Sequence, residues 1–171
     1  MRWVALLRAV NLGGRNKVPM AELRARLEEA GYENVRTFIA SGNVLLDAPP
    51  GAAKLAAALE RVVEESFGVT TAAVLRRPRD LAATVAAHPF GADTSQTHVA
   101  FLGSRPARAA ASRLDAAAGA DRAVLEGAEV YLRLSHGSRL SIARVESLLG
   151  VPATVRNFRT VAALAELAAE A

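Results

Sequence analysis

Two distant stretches of this chain, FGVTTAAVLRRPRDLAA at 67–83 and LGVPATVRNFRTVAA at 149–163, run in parallel, with Arg76 and Arg79 matching Arg156 and Arg159 once two residues are gapped. The order of predicted elements around them repeats as well, and that order more than the letters reads as a duplication of one motif. In the first half Met1–Arg8 reads as a strand, with Trp3, Ala5 and Leu7 on one face and Val4 and Leu6 on the other. Apolar residues on both faces mark a strand covered on both sides. A helix follows from Pro19, a residue suited to the first helical position, with Met20, Leu23, Leu27 and Ala30 in one stripe and Gly31 as its stop. Strands at 35–40 and 44–46 flank the turn Ser41-Gly42-Asn43. After APPG a second helix carries Leu55, Leu59, Val62, Val63 and Phe67 to Gly68; a strand at 72–76 and a short helix Asp80–Ala87 complete the half.

The second half gives a strand at 98–102, an Ala-rich helix at 106–117, two strands (RAVLE and EVYLRL) about Gly127-Ala128, and a helix from Ser141 that Gly150 closes. The strand ATVRNF and a helix with Val161, Leu164 and Leu167 end the chain. The repeated β-α-β-β-α-β order predicts an α+β protein of duplicated ferredoxin-like halves, 1–90 and 97–171, each followed by an extra helix. Each antiparallel sheet takes the order 4-1-3-2 with both helices on one face. The other face would be bare, which predicts that the halves bury theirs against each other or the extra helices, packed as one unit. HPFGADTSQ at 88–96 is then a connection and not a free linker.

Composition narrows the class. A chain of 171 residues with 51% apolar residues and a net charge of +4 is long enough to bury a core of its own. The absence of cysteine excludes disulfides, thiolate metal sites and a cysteine nucleophile, and fits a reducing compartment. The apolar run WVALL stops at Arg8, short of a signal core or a membrane span, so the expectation is a cytoplasmic protein without a membrane partner. Arginine supplies 19 of the 21 basic residues, leaving only Lys17 and Lys54, in a chain rich in alanine. That bias reads as a compositional habit, so arginines on helix surfaces are discounted as a functional signal.

A right-handed β-α-β crossover makes the first two strands of each half parallel, so the loop after the first strand and the hairpin after the second emerge at one edge. Arg8, Asn11, Gly13, Gly14, Asn16 and Lys17 should therefore lie near Ser41, Gly42 and Asn43, with Arg15 close by. Free N–H groups at a helix start favour an anion, which makes this cluster a candidate ligand site. Glycine and asparagine are equally what tight turns require, because they tolerate positive φ. GGRNKV also completes neither a P-loop nor a dinucleotide fingerprint. A second cluster, Ser138, Arg139, Ser141, Arg156 and Asn157, converges at the opposite edge of the second half. Its structural reading makes Ser141 and Thr160 helix N-caps and pairs Arg156 with a carboxylate such as Glu146.

Other chemistry is excluded by spacing. His88, His98 and His136 stand singly, with no metal-binding pattern. Glu28-Glu29 and Glu64-Glu65 diverge by about 100 degrees on a helix and do not form an acid/base pair. Ser41 and Ser138 lack a nucleophile-elbow context. Trp3, Tyr32, Phe38, Phe101, Tyr131 and Phe158 read mainly as core, with Arg156-Asn157-Phe158 as the one group suited to a base or an anion.

VALLRAVNLGGRNKVPMAELRARLEEAGYENVRTFIASGNVLL and the later LSIARVESLLGVPATVRNFRTVAAL together resemble the bacterial domain of unknown function 1697 family over nearly the whole chain. Such families show LLRGINVGG…KVPMAELR, QSGNVVF, SKLTNA and TRNWNTV. Here Ala9 replaces a glycine and Ala40 precedes the Ser-Gly-Asn turn, while Arg139, Ser141, Ile142, Phe158 and Arg159 depart from the later motifs. The resemblance implies no activity, cofactor or catalytic residue, but its signature stretches coincide with the two loop clusters. The reading that follows is a binding module for a small anionic, nucleotide-like ligand or RNA, with no cofactor and no metal. The alternatives are a small enzyme acting on a phosphorylated or carboxylated metabolite, with Lys17 or Arg8 positioning charge and Asn43 orienting it, or a structural or interaction protein without a ligand site.

Overall fold

The computed structural model describes residues 1–138 and 140–170. Its elements run β1 (Arg2–Leu7), α1 (Met20–Glu29), β2 (Glu33–Phe38), β3 (Asn43–Asp47), α2 (Ala52–Phe67), β4 (Ala73–Arg76) and α3 (Pro78–Ala86). There follow β5 (Thr97–Leu102), α4 (Ala110–Ala118), β6 (Arg122–Glu126), β7 (Glu129–Arg133), α5 (Ile142–Leu149), β8 (Ala153–Asn157) and α6 (Phe158–Ala169). Two four-stranded antiparallel sheets form, in the orders β2-β3-β1-β4 and β6-β7-β5-β8, which is the ferredoxin-like order 4-1-3-2 twice over. Together with the six helices they make an α+β fold of two similar halves. The chain divides into two compact units, Met1–Asp80 with the C-terminal stretch from Glu166, and Leu81–Ala165.

In the first unit Trp3, Ala5 and Leu7 of β1 pack with Val44 and Leu46 of β3 against Leu23 and Leu27 of α1 and Leu55, Leu59 and Val63 of α2. Alternation along the strands puts these residues on one face, and the helical stripes close over it. Val4, Leu6 and Leu45 on the opposite face are also buried, as the apolar residues on both faces of β1 require. In the second unit Ala100 and Leu102 of β5 and Val130 and Leu132 of β7 meet Leu114 of α4 and Val145 and Leu149 of α5.

The halves also share local devices. Glu60 of α2 accepts the Ala73 amide at the start of β4 (2.8 Å), and Glu146 of α5 accepts the Ala153 amide at the start of β8 (2.7 Å). Val4 pairs with Arg76 and Val99 with Arg156, and each arginine's Nη1 donates to the carbonyl of the preceding residue at 2.9 Å.

Several boundaries differ from the sequence expectation. Pro19 is the N-cap of α1, not its first residue, because its ψ of 119° is extended. β2 stops at Phe38, since Ile39 takes φ +50°, and Asn43 belongs to β3, paired with Phe38. The hairpin loop is therefore 39–42. α4 starts at Ala110, later than expected. Phe158 opens α6 and does not extend β8: the Asn157 side chain accepts the Thr160 amide at 2.9 Å, making Asn157 the capping residue in place of Thr160.

Candidate functional site

The antiparallel ladders bring the end of β1, the β2–β3 loop and the start of β4 to one rim of the first unit. The Leu7 amide donates to the Gly42 carbonyl (2.8 Å), the Arg8 amide donates to the Ala72 carbonyl (2.9 Å), and the Thr71 hydroxyl donates to the Arg8 carbonyl (2.7 Å). The 11–17 loop is tied onto this edge by Asn11. Its Nδ2 donates to the carbonyls of Val18 and Ala40, both at 2.8 Å, and its Oδ1 accepts the Val18 amide at 2.8 Å. One amide thus joins the loop to its own end and to the hairpin. Asn16 Nδ2 donates to the Ala9 carbonyl (2.9 Å), while Asn11 N–H donates to the Asn16 carbonyl and Arg15 N–H to the Leu12 carbonyl, both at 2.9 Å.

The backbone of this rim is left-handed at many points: Ala9, Asn11, Gly13, Gly14, Asn16, Ile39 and Gly42 all have φ between 50° and 80°. Gly42 is required twice over. Besides its φ of +80°, a Cβ there would lie 2.5 Å from Val10 Cγ2 and 2.9 Å from Leu7 Cβ. Asn43 is fully buried, and its Nδ2 donates to the Phe38 carbonyl and the Ser41 hydroxyl, both at 2.9 Å. Gly42 and Asn43 therefore hold the turn from inside, while Gly13, Gly14, Arg15, Asn16 and Lys17 stand exposed on it.

The electrostatics follow from composition. Residues 8–21, 35–46 and 68–75, which meet here, contain no Asp or Glu. Glu22 comes after them in the first turn of α1, and Glu60 reaches the start of β4, where it is bound to the Ala73 amide. Among the described residues Arg15 and Lys17 take part in no ion pair. Leu12 and Ile39, exposed by 59% and 51%, stand on the same loops.

In the second unit the loop before α5 and the end of β8 emerge beside the start of β5, where Arg133 pairs with Thr97 and Asn157 with His98. Ser138 donates to Asp121 Oδ2 (2.6 Å), and Ser135 donates to Asp121 Oδ1 through its amide (2.7 Å) and hydroxyl (2.8 Å). Burial would raise the Asp121 pKa, but these three bonds outweigh it and hold the carboxyl below the usual aspartate value. Asp121 is the residue that sequence reasoning missed; only its position before a strand marked it. Ser141 is the N-cap of α5, accepting the Arg144 amide at 3.3 Å. Arg156 is buried, and its Nη1 donates to Thr154 Oγ1 (2.8 Å) and the Val155 carbonyl (2.9 Å). Desolvation lowers its pKa to about 10, still charged at neutral pH. Arg139, expected in this cluster, lies outside the described residues.

Phe158 is buried too, and with Phe90 and Tyr131 it surrounds the His88 ring, whose centroid lies 4.2 Å from that of Phe158. Burial, then the nearby Arg133, pushes the His88 pKa down. The Tyr131 hydroxyl donates to the Thr84 carbonyl (2.8 Å); burial first, then Glu126 and Glu129, raises its pKa to about 12. These aromatics are core, not a base-stacking face. Among the described residues no group of three His, Cys, Asp or Glu could hold a metal ion, and no helix is long and apolar enough to cross a membrane. An open depression of about 230 Å³ beside Tyr32, Pro49, Pro50 and Lys54 lies away from the rim, and another of about 290 Å³ lies beside Asp115, Gly119 and Asp121.

Fold and sheet order define an α+β protein of two ferredoxin-like halves, the first of which carries exposed Arg15 and Lys17 on the rim described above. The chain belongs to the family described as protein of unknown function (DUF1697), whose model matches residues 1–131. A conserved bacterial protein from Streptococcus pneumoniae has a similar structure, with a TM-score of 0.71 and 22% sequence identity over 98% of both chains. That likeness extends to the fold. Among curated proteins none matches.

Proposed function

We propose that the first-unit rim binds an extended polyanion, RNA above all, through Arg15 and Lys17 with Arg8 behind them. The carrying observation is the pair of exposed cations, without ion-pair partners, on a loop that internal hydrogen bonds hold in one shape. A preformed loop loses little conformational entropy on binding, and cations without carboxylate partners keep their charge available to phosphates. Residues 12–17 are all exposed, so the site is an open surface suited to a strand and not an enclosed small-molecule pocket. Asn11, Asn16 and Asn43 support this surface from within; their side-chain amides serve the protein's own backbone.

The test is RNA binding as a function of salt. Affinity should fall steeply with rising salt, and Arg15→Ala with Lys17→Ala should reduce the slope of log K against log salt by about 0.7 for each phosphate no longer neutralised. No binding at low salt would overturn the proposal and favour the structural reading, for which the internally satisfied asparagines are the specific support.

Two further elements belong to the same reading. The shared glutamate and arginine devices of the two halves support descent by duplication of one β-α-β-β-α-β unit. The cysteine-free composition supports residence in the reducing cytoplasm.

A further inference from the structure

The rim carries two features that charge alone leaves unused. Leu12 and Ile39 are two of four large hydrophobic residues that stand exposed among those described, and both lie on the loops that Asn11 ties together. Ile39 is also strained: a β-branched residue at φ +50° is a backbone outlier, and Asn or Gly would occupy the position with less strain. Strain of this kind concentrates where a surrounding structure enforces it for a purpose. An exposed apolar side chain held in a strained conformation, on a loop hydrogen-bonded to the one that carries two cations without ion-pair partners, fits a ligand with both phosphates and apolar faces.

We propose that the rim is specific for unpaired nucleotides, with Leu12 and Ile39 receiving base faces while Arg15 and Lys17 meet the phosphates; this rests on the polyanion reading above. A duplex hides its base faces in the stack and presents phosphates, so it would set the two apolar side chains against a charged backbone. Single strands offer both surfaces at once, and every base has a face to pack, so the contact tolerates any sequence. An acidic protein segment is the competing source of mixed charge and apolar surface. Its carboxylates lack the regular phosphate spacing, and the test includes it.

The experiment measures the affinity of the full chain for short oligo(U), the matching oligo(A)·oligo(U) duplex, inorganic polyphosphate and poly-glutamate. The proteins are the parent, Leu12→Ser and Ile39→Asn. Oligo(U) should bind tightest, and each variant should weaken it about fivefold through the loss of about 40 Å² of apolar contact, while leaving polyphosphate unchanged. Asn suits the left-handed backbone, so Ile39→Asn should melt no lower than the parent, which separates weakened base packing from impaired folding. Ile39→Gly serves as a second variant on the same logic. Equal affinity for oligo(U) and duplex, or variants that leave oligo(U) binding intact, would overturn the single-strand proposal alone. So would poly-glutamate binding that weakens in the same variants. Failure of oligo(U) and polyphosphate together at low salt would instead overturn the polyanion reading beneath it.

Discussion

Gly42→Ala tests whether the rim is as tightly built as its hydrogen bonds indicate. The new methyl would sit 2.5 Å from Val10 Cγ2 and 2.9 Å from Leu7 Cβ, where carbon atoms normally approach to about 3.5–4.0 Å. Neither neighbour can give way cheaply. Leu7 ends β1, its Cβ is fixed to a backbone that donates to Gly42, and Val10 is β-branched and 2% exposed. Overpacking a closed site costs about 1–3 kcal/mol, and placing an L-residue at positive φ adds about 1 kcal/mol, for a total loss of about 2–4 kcal/mol. Gly14→Ala is the control: its φ is +78°, but nothing lies within 4 Å of the added carbon, so only the backbone part, about 1 kcal/mol, applies. Urea unfolding followed by the fluorescence of Trp3, the single tryptophan and a core residue of the first unit, reports on this unit directly. With an m-value of about 1.5 kcal/mol/M, a 3 kcal/mol loss lowers the midpoint by about 2 M, against about 0.7 M for Gly14→Ala. Equal midpoint shifts for the two variants, at unchanged m, would refute the argument that contact with β1 and not turn conformation makes Gly42 necessary.

Two other perturbations address the clusters separately. Asn11→Ala removes two donated bonds and one accepted bond that join the loop to Val18 and Ala40. It should destabilise the first unit by about 2–4 kcal/mol and, in hydrogen exchange, deprotect the Val18 amide. Asp121→Asn replaces a carboxylate that accepts three hydrogen bonds, for an expected loss of about 1–3 kcal/mol at neutral pH. Because the native carboxyl titrates below its unfolded value of about 4, its contribution is present above that pH. It disappears as pH falls through the lower native value. The gap between parent and variant in urea unfolding followed by circular dichroism should therefore narrow on acidification below pH about 4. A gap that stays constant down to the acid limit would show that charge plays no part.

Which features were legible in the sequence depended on range. Strand alternation, helical stripes and glycine stops are local signals, so the repeated β-α-β-β-α-β order and the covered faces of β1 could be read directly. The handedness of the crossover carried that reading one step further, to the meeting of the 11–17 loop with the hairpin, and Asn11 Nδ2 on the Ala40 carbonyl is that meeting. Local letters could not reveal how each residue is used there. Asn43 and Asn16 are the same residue type in neighbouring turns, yet one is buried in β3 and the other exposed on the loop. Strand register separates them, because Asn43 lies opposite Leu6 and Phe38 inside the ladder.

The second cluster shows the same division. Sequence spacing suggested Ser138 and Arg156 as ligand contacts, while the tertiary structure made the first a partner of Asp121, seventeen residues earlier, and buried the second beside Thr154. Sequence by itself determined the elements, their order and the residue types available at each turn, since these follow from periodicity and backbone sterics within a few residues. Only the tertiary structure decided which polar groups are satisfied internally and which cations remain facing water. That outcome depends on pairings across tens of residues, where a shift of one position in register would move every side chain to the opposite face of its sheet.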